Sequence, residues 1–334
     1  MEKYLIPNYF KKFKCKCGDC RNTCCVGWTV TMSVNEYFKI KNLECDEEFR
    51  EKLDRGIYTC INPTAERYAY IKKNYYGDCV FHDCDGLCEI HKKFGEDNIA
   101  RVCDMYPKSI KGFPYYEKSC GNSCEGVLEL LINSNEKLTF DEYPDNTDYS
   151  IELKCIDLIQ EEKPLFDKFK EIGKIFDYDS YIDICKEELL SMIYEYVLLY
   201  KDNNSLDEYV ESIEKMFGED NILKVYDECK KHLYKIVPDY DNYISKIMAN
   251  HMLFTDFPYE KIGHSNLSFY SLCGVYSFST FILTLMMRDK NTITDMVDIL
   301  SKIFRLVEHS QFPIMVGKYF KSKLINSVHN LIKM

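Results

Sequence analysis

Residues 15–25 read C-K-C-G-D-C-R-N-T-C-C. Thiols at this density either cross-link a chain or hold a soft metal, and the choice between the two decides how the surrounding chain folds. Two further groups follow, Cys79, Cys84 and Cys88, then Cys103, Cys120 and Cys124. Thirteen of the 17 cysteines lie before residue 125, so they are grouped rather than scattered as core residues would be. Disulfide frameworks belong to small secreted chains that cannot build a core. Here 334 residues, 46% of them hydrophobic, are enough to build one. The opening M-E-K-Y-L-I-P-N-Y-F-K-K offers no apolar stretch of signal-peptide length. The expectation is therefore a cytoplasmic protein with reduced thiols that bind metal.

Composition changes near residue 130. Beyond the polar stretch 133–148, helical periodicity takes over, with Leu189, Leu190, Ile193, Tyr194 and Val197 recurring at three- and four-residue steps. Similar patterns run through 206–217, 220–236, 240–254, 266–287, 292–308 and 313–332. The fold class expected is mainly α: a small, irregular α+β cysteine-rich domain over 1–130, a linker over 131–148, and an all-α bundle of about six to eight helices over 149–334. Within the first part, Trp28 to Met32 alternates as a short strand. Ser33 and Glu36 form a capping box for a helix through about Leu43. Tyr68 to Tyr76 reads as a hairpin arm turning at Gly77-Asp78. The most apolar run, 272–287, is broken by Ser, Thr and Gly, so no membrane span is expected.

The net charge of −11 lies mostly beyond residue 130, which argues against nucleic acid, since phosphate binding needs a basic stripe. Zinc sites favour separated pairs, and Cys17-x2-Cys20 and Cys84-x3-Cys88 can form them, with His82 or His91 as alternative ligands. Iron–sulfur clusters need four thiolates and tolerate irregular spacing. Thirteen cysteines with an adjacent Cys24-Cys25 exceed one tetrahedral site, and spacing places iron–sulfur ahead of zinc without removing zinc. The C-x3-C-x2-C spacing of radical enzymes is absent: that register reaches Gly27 after Cys24 and His91 after Cys88. Gly-rich nucleotide loops, G-x-S-x-G and H-E-x-x-H are absent too.

Several strings resemble the flagellin lysine-N-methylase family: Pro7-x-Tyr9 leading to Cys15, then Cys20-R-N-T-Cys24-Cys25-V-G-Trp28. The resemblance continues in Cys79-V-F, D-G-L-Cys88-E-I, Phe94-G-E, Cys103-D-M-Tyr106-Pro107 and Ser123-Cys124. A weaker match is Arg305-L-V-Glu308-His309, with a preceding helix near Asn250. The resemblance implies transfer of methyl groups from S-adenosylmethionine to lysines of flagellin, at a cleft between the two domains, with a 4Fe-4S cluster as scaffold or cofactor contact. It implies Cys15, Cys20, Cys24, Cys25, Cys79, Cys88, Cys103 and Cys124 as metal ligands. Cys17, Cys84 and Cys120 are additional to the pattern. Cys45, Cys60, Cys155, Cys185, Cys229 and Cys273 read as small buried apolar residues.

For a general base or an amine-orienting group, the candidates are Glu308, His309 and Tyr106. Arg305 can hold a cofactor carboxylate bidentately, and Trp28 can line the cofactor site. Each has an ordinary structural alternative: a helix cap for Glu308-His309, a salt bridge for Arg305, packing for Tyr106 and Trp28. The rival function is a non-enzymatic iron or zinc module for storage, sensing or partner binding.

Overall fold

The computed structural model describes residues 3–112, 116–143, 149–178, 182–201, 206–219, 221–258, 265–324 and 327–334. It is mainly α, with fourteen α-helices and three small sheets among those residues. The chain divides into two compact units, Lys14–Lys108 and a discontinuous unit of Met1–Phe13 with Ser109–Met334. The division falls at 108/109, not within 131–148. Strand β1 (Ile6–Pro7) pairs antiparallel with a strand at Phe140–Glu142, so the stretch expected as a linker carries part of a sheet.

The cysteine-rich unit holds β2 (Thr31–Met32), α1 (Val34–Lys41), α2 (Glu47–Gly56), β3 (Ile57–Thr59), β4 (Ala69–Ile71), α3 (Glu89–Phe94) and α4 (Arg101–Met105). The capping box is formed as expected: Ser33 Oγ accepts from Glu36 N–H, and Glu36 reaches back to Ser33 N–H. Asp46 caps α2 by accepting from Phe49 N–H at 2.7 Å. The sheet order is β2-β4-β3, all antiparallel, with Thr31 opposite Tyr70 and Ile57 opposite Ile71. The strand expected from Trp28 is confined to two residues. A small core of Met32, Ile40, Phe49, Leu53, Ile71 and Phe81 underlies the sheet.

The larger unit continues with β5 (Lys108–Lys111), β6 (Glu117–Cys120), α5 (Glu125–Asn133), β7 (Phe140–Glu142), α6 (Ser150–Ile159), α7 (Leu165–Ile175), α8 (Lys186–Leu198) and α9 (Asp207–Glu219). It ends with α10 (Ile222–Ile236), α11 (Tyr240–Phe254), α12 (Ser265–Met286), α13 (Ile293–Glu308) and α14 (Phe312–Lys323). Nine helices follow residue 149 among the described residues; the two unforeseen ones are α6 and α7. The periodic face of α8 is inward, with Leu189, Leu190, Ile193 and Val197 all buried, while Tyr194 is half-buried. Of the six cysteines expected in the core, Cys155, Cys229 and Cys273 are buried. Cys45 and Cys60 are half-buried, and Cys185 is exposed, because it sits at the N-cap of α8 rather than on its inner face.

Leu267–Met286 of α12 is long and apolar enough, by length and composition alone, to span a bilayer, because isolated Ser, Thr and Gly lower the mean hydropathy little. That stretch is 94% buried inside the protein, with α8, α9, α10, α13 and α14 around it. Its small residues let α14 approach closely. A Cβ on Gly274 would lie 2.9 Å from Val316 Cγ2, and one on Gly317 would lie 3.0 Å from the Ser271 backbone nitrogen. Gly317→Ala should therefore cost about 1–3 kcal/mol, since backbone cannot yield as a side chain can. Gly218→Ala on α9, where a Cβ meets nothing within 4 Å, should stabilise by about 0.5–1 kcal/mol. Urea midpoints of the two variants should move in opposite directions; a shared direction contradicts the packing described.

Candidate functional site

In the cysteine-rich unit, backbone contact joins the first two thiol groups. Gly86 adopts φ +78°, and a Cβ on it would meet Gly18 O at 2.8 Å; one on Gly18 would meet Asp85 O at 2.8 Å. Only glycine on both sides lets the loop after Cys17 lie against the loop before Cys88. A second link is the Cys79 N–H, which donates to Cys25 O at 2.8 Å. Cys25, Cys79, Cys88 and Cys103 then lie near enough that each makes the next harder to ionise. Burial is the larger cause for Cys79, pushed up to about 12, and for Cys88 and Cys103, both raised.

Cys25 is the exception. The Cys24 thiol donates to its sulfur, and this draws Cys25 down to about 6 against burial, aided by Thr23 and by His82. Cys24 is correspondingly raised. His82 Nε2 is buried without a hydrogen-bond partner. Thiols whose ionisation is opposed by burial and by one another, beside an imidazole nitrogen with no hydrogen-bond partner among the described residues, are soft donors of the kind that thiophilic metals take. No three Cys, His, Asp or Glu side chains are gathered at metal-binding distance among the described residues. Cys15 is exposed, with its sulfur accepting from Cys17 N–H at 3.3 Å, and Cys20 is half-buried. Cys124 belongs to the other compact unit, at the N-cap of α5.

Trp28 and Tyr106 form an edge-on ring pair, centroids 4.9 Å apart, and Trp28 Nε1 donates to Cys24 O at 2.6 Å. Both are half-buried members of the thiol unit. Glu308, His309 and Arg305 stand together at the end of α13 in the larger unit.

That larger unit contains a second constellation, built from segments far apart in the chain. Leu5 N–H donates to Tyr116 O and Lys118 N–H to Leu5 O, laying the first residues along β6. This carries Tyr9 to Cys120, whose N–H donates to the Tyr9 hydroxyl at 3.0 Å. The same hydroxyl donates to Asn250 Oδ1. Asn250 Nδ2 donates to Cys120 O at 2.9 Å and to Asn122 Oδ1 at 2.8 Å. Asn122 Nδ2 donates to Ile247 O at 3.0 Å, one turn back on α11. The loop so fixed presents Ser123 to α13: Ser123 N–H donates to Glu308 Oε2 at 3.2 Å, and Ser123 Oγ meets His309 Nε2 at 2.8 Å. His251 Nδ1 lies 3.5 Å from Glu308 Oε1, and His251 Nε2 has no partner among the described residues. A Cβ on Gly121 would lie 2.9 Å from Glu308 Oε2, so glycine is what admits the carboxylate.

The electrostatics separate the two adjacent residues. Glu308 is wholly enclosed, and burial lifts its carboxyl above the ordinary range although His251 and the Ser123 and Asn122 amides oppose it. His309 lies at the surface end of the cluster, where desolvation and then Arg305 hold it down at about 4. The accessible group is therefore a neutral imidazole, with an inaccessible carboxyl fixed behind it. Sequence reading names Glu308, His309 and Arg305. It places Tyr9, Ser123 and Asn250 only in motifs, and it misses Asn122 and His251. An Asn-His pair at 250–251 on an otherwise apolar stretch of helix is the available signal.

Comparison with known proteins agrees with the motif resemblance. The chain is 23% identical over 141 residues to the lysine-N-methylases of Salmonella typhimurium and Salmonella choleraesuis, covering 41% of this chain and 34% of theirs. It is 23% identical over 150 residues to the flagellar biosynthetic protein FliU of Salmonella muenchen, covering 43% of this chain and 86% of that one. The matched region thus spans about a third of the length of the two methylases. No family model and no solved structure matches the chain.

The buried carboxyl makes stability depend on pH with a definite sign. Because the folded pKa of Glu308 is raised, its contribution is complete below the unfolded value of about 4.3 and is lost as pH rises through the folded one. Glu308→Gln does not titrate, so its melting temperature relative to the parent protein should improve from about pH 4 to about pH 8. A difference independent of pH contradicts this. Tyr9→Phe removes the hydroxyl that bonds Cys120 N–H and Asn250 Oδ1 and should cost about 1–3 kcal/mol in urea unfolding.

Proposed function

We propose that the chain is a protein-lysine N-methyltransferase that uses S-adenosylmethionine and acts on flagellin, in a reducing compartment such as the cytoplasm. The observation that carries this reading is the convergence at one buried polar cluster of Tyr9, Ser123, Asn250, Glu308 and His309 from separate motifs. The names borne by the similar Salmonella proteins support it.

When bound, S-adenosylmethionine supplies an electrophilic methyl group on a sulfonium sulfur. The lysine amine must reach it without its proton and in line. His309 is the exposed member of the cluster and stays neutral, so its imidazole can accept a hydrogen bond from the incoming lysine. Held at about 4, it cannot retain a proton taken from a group that titrates near about 10. His309 therefore orients the amine, and the proton leaves to water. Transfer would form the nitrogen–carbon bond as the carbon–sulfur bond breaks and would leave a neutral thioether. Ser123 fixes the imidazole, and Glu308 fixes Ser123 through its amide. Glu308 and His251 do not reach the substrate. Arg305, one turn before His309, offers a guanidinium for a carboxylate of the cofactor.

In the thiol unit, Cys25, Cys79, Cys88 and Cys103, with Cys24 and His82 adjoining, would hold an iron–sulfur cluster, with zinc as the alternative metal. The metal would supply the positive charge that such mutually repelling thiolates need. Protein purified without oxygen should contain iron and acid-labile sulfide, and Cys103→Ser should lose both and unfold that unit. Zinc alone would overturn the cluster and leave methyl transfer standing.

Methyl transfer is tested with metal-loaded protein, S-adenosylmethionine and the flagellin of the same organism, followed by intact mass. Flagellin should gain whole methyl increments, and His309→Gln should slow the gain by about 10²–10⁴-fold at unchanged melting temperature. No gain despite bound cofactor favours a non-enzymatic metal module.

A further inference from the structure

A cavity of about 580 Å³ lies in the larger unit, away from the polar cluster, among the segment after α5, the start of α7 and the first turns of α11. Four lysines line it, Lys137, Lys163, Lys168 and Lys246, against the carboxylates Glu161, Glu162 and Asp241. In a chain of net charge −11 this is a local reversal.

The lysines are not equivalent. Lys163 is exposed and paired with Glu161 at 2.7 Å. Lys168 and Lys246 are 5% and 6% exposed, and neither has a carboxylate within 4 Å among the described residues. Lys168 Nζ donates to Ser245 Oγ at 2.9 Å, and Lys246 Nζ donates to Ser134 O. Asp241, the carboxylate that acts most on Lys168, already accepts from the Tyr234 hydroxyl at 2.6 Å. The carboxylate acting on Lys246 is Asp239, and it too is not in contact. Buried ammonium groups are normally paired, because an unpaired charge in a poorly solvated site is costly. Burial accordingly lowers the pKa of both. Helix α7 opens on the same cavity, with Pro164 at its N-cap and no side-chain cap on its first amides. Its dipole adds positive potential at that end.

We infer that this cavity is a binding site for a small anionic ligand, one that carries a phosphate or carboxylate group and takes Lys168 and Lys246 as its charge partners. Nothing in the methyl-transfer reading requires it. The volume suits a ligand larger than a bare ion. Ser245, which donates to Asp241 O at 2.6 Å and accepts from Lys168 at 2.9 Å, holds the ammonium at the cavity wall.

The test uses the full chain. Inorganic phosphate and malonate are each titrated against sodium chloride of matched ionic strength, with melting temperature and, for phosphate, the ³¹P linewidth as readouts. At least one of the two should raise the melting temperature beyond chloride, and which one does so distinguishes the phosphate from the carboxylate class. Lys168→Gln and Lys246→Gln should each weaken binding by about tenfold or more, as loss of a charge-assisted hydrogen bond does. Lys168→Arg should retain binding within about threefold. If Lys168→Gln does not fold, Lys246→Gln and the linewidth of the parent protein decide. Equal stabilisation by chloride, or unchanged binding in both glutamine variants, overturns the site.

Discussion

Asn250 has a carboxamide wholly out of water, and every hydrogen bond it makes must come from the protein. It draws those bonds from Tyr9, Cys120 and Asn122, three positions that local structure alone would not bring to α11. An apolar side chain there would remove the amide that ties the Tyr9 hydroxyl, Cys120 O and Asn122 Oδ1 to α11. The geometry of Ser123, and through it of His309, follows from this one amide. The cost of breaking it is concentrated: the loop 120–123 has no helix of its own to hold it.

The cysteine-rich unit is built on the opposite principle. Its helices have as few as five residues and its strands two or three, too short for propensity or pairing to hold alone. Its apolar core is small beside that of the larger unit. What the unit has in quantity is sulfur, much of it half-buried and mutually repelling. The metal proposed for these sulfurs would couple its binding to folding.

Much of this is legible in the sequence. Helical periodicity places α8 to α13 within a few residues, since an amphipathic face leaves a strong period, whereas the run read over 313–332 ends as α14 at Lys323 and a 3-10 turn follows at Val328–Ile332; the capping box at Ser33 is visible together with its partner. Helices α6 and α7 escape that reading although Leu165, Phe169 and Ile172 of α7 recur at four- and three-residue steps; α6 carries the same spacing with Glu152 at the head of its buried row. The unit boundary is hidden for a different reason. The first 13 residues join the larger unit through strand pairing with residues 116–118 and 140–142, and pairing over such separations leaves no local signature. Glu308 and His309 can be named from their motif. That one is enclosed and the other exposed depends on Ser123 and His251, which only the fold places beside them.

The order in which the chain is made gives the discontinuous unit a further meaning. Tyr9 leaves the ribosome 241 residues ahead of the amide that receives its hydroxyl proton. Until α11 emerges, the Tyr9 hydroxyl lacks its Asn250 acceptor, and loop closure over that span is slow relative to local helix formation. The stretch Lys14–Lys108 is complete long before, so it can assemble while its flanks are still waiting. Nascent chain ending short of α11 therefore leaves the Tyr9 hydroxyl without Asn250 and part of the apolar face of α5 uncovered. Tyr9, near the start of the sequence, is among the last residues to reach all of its native partners.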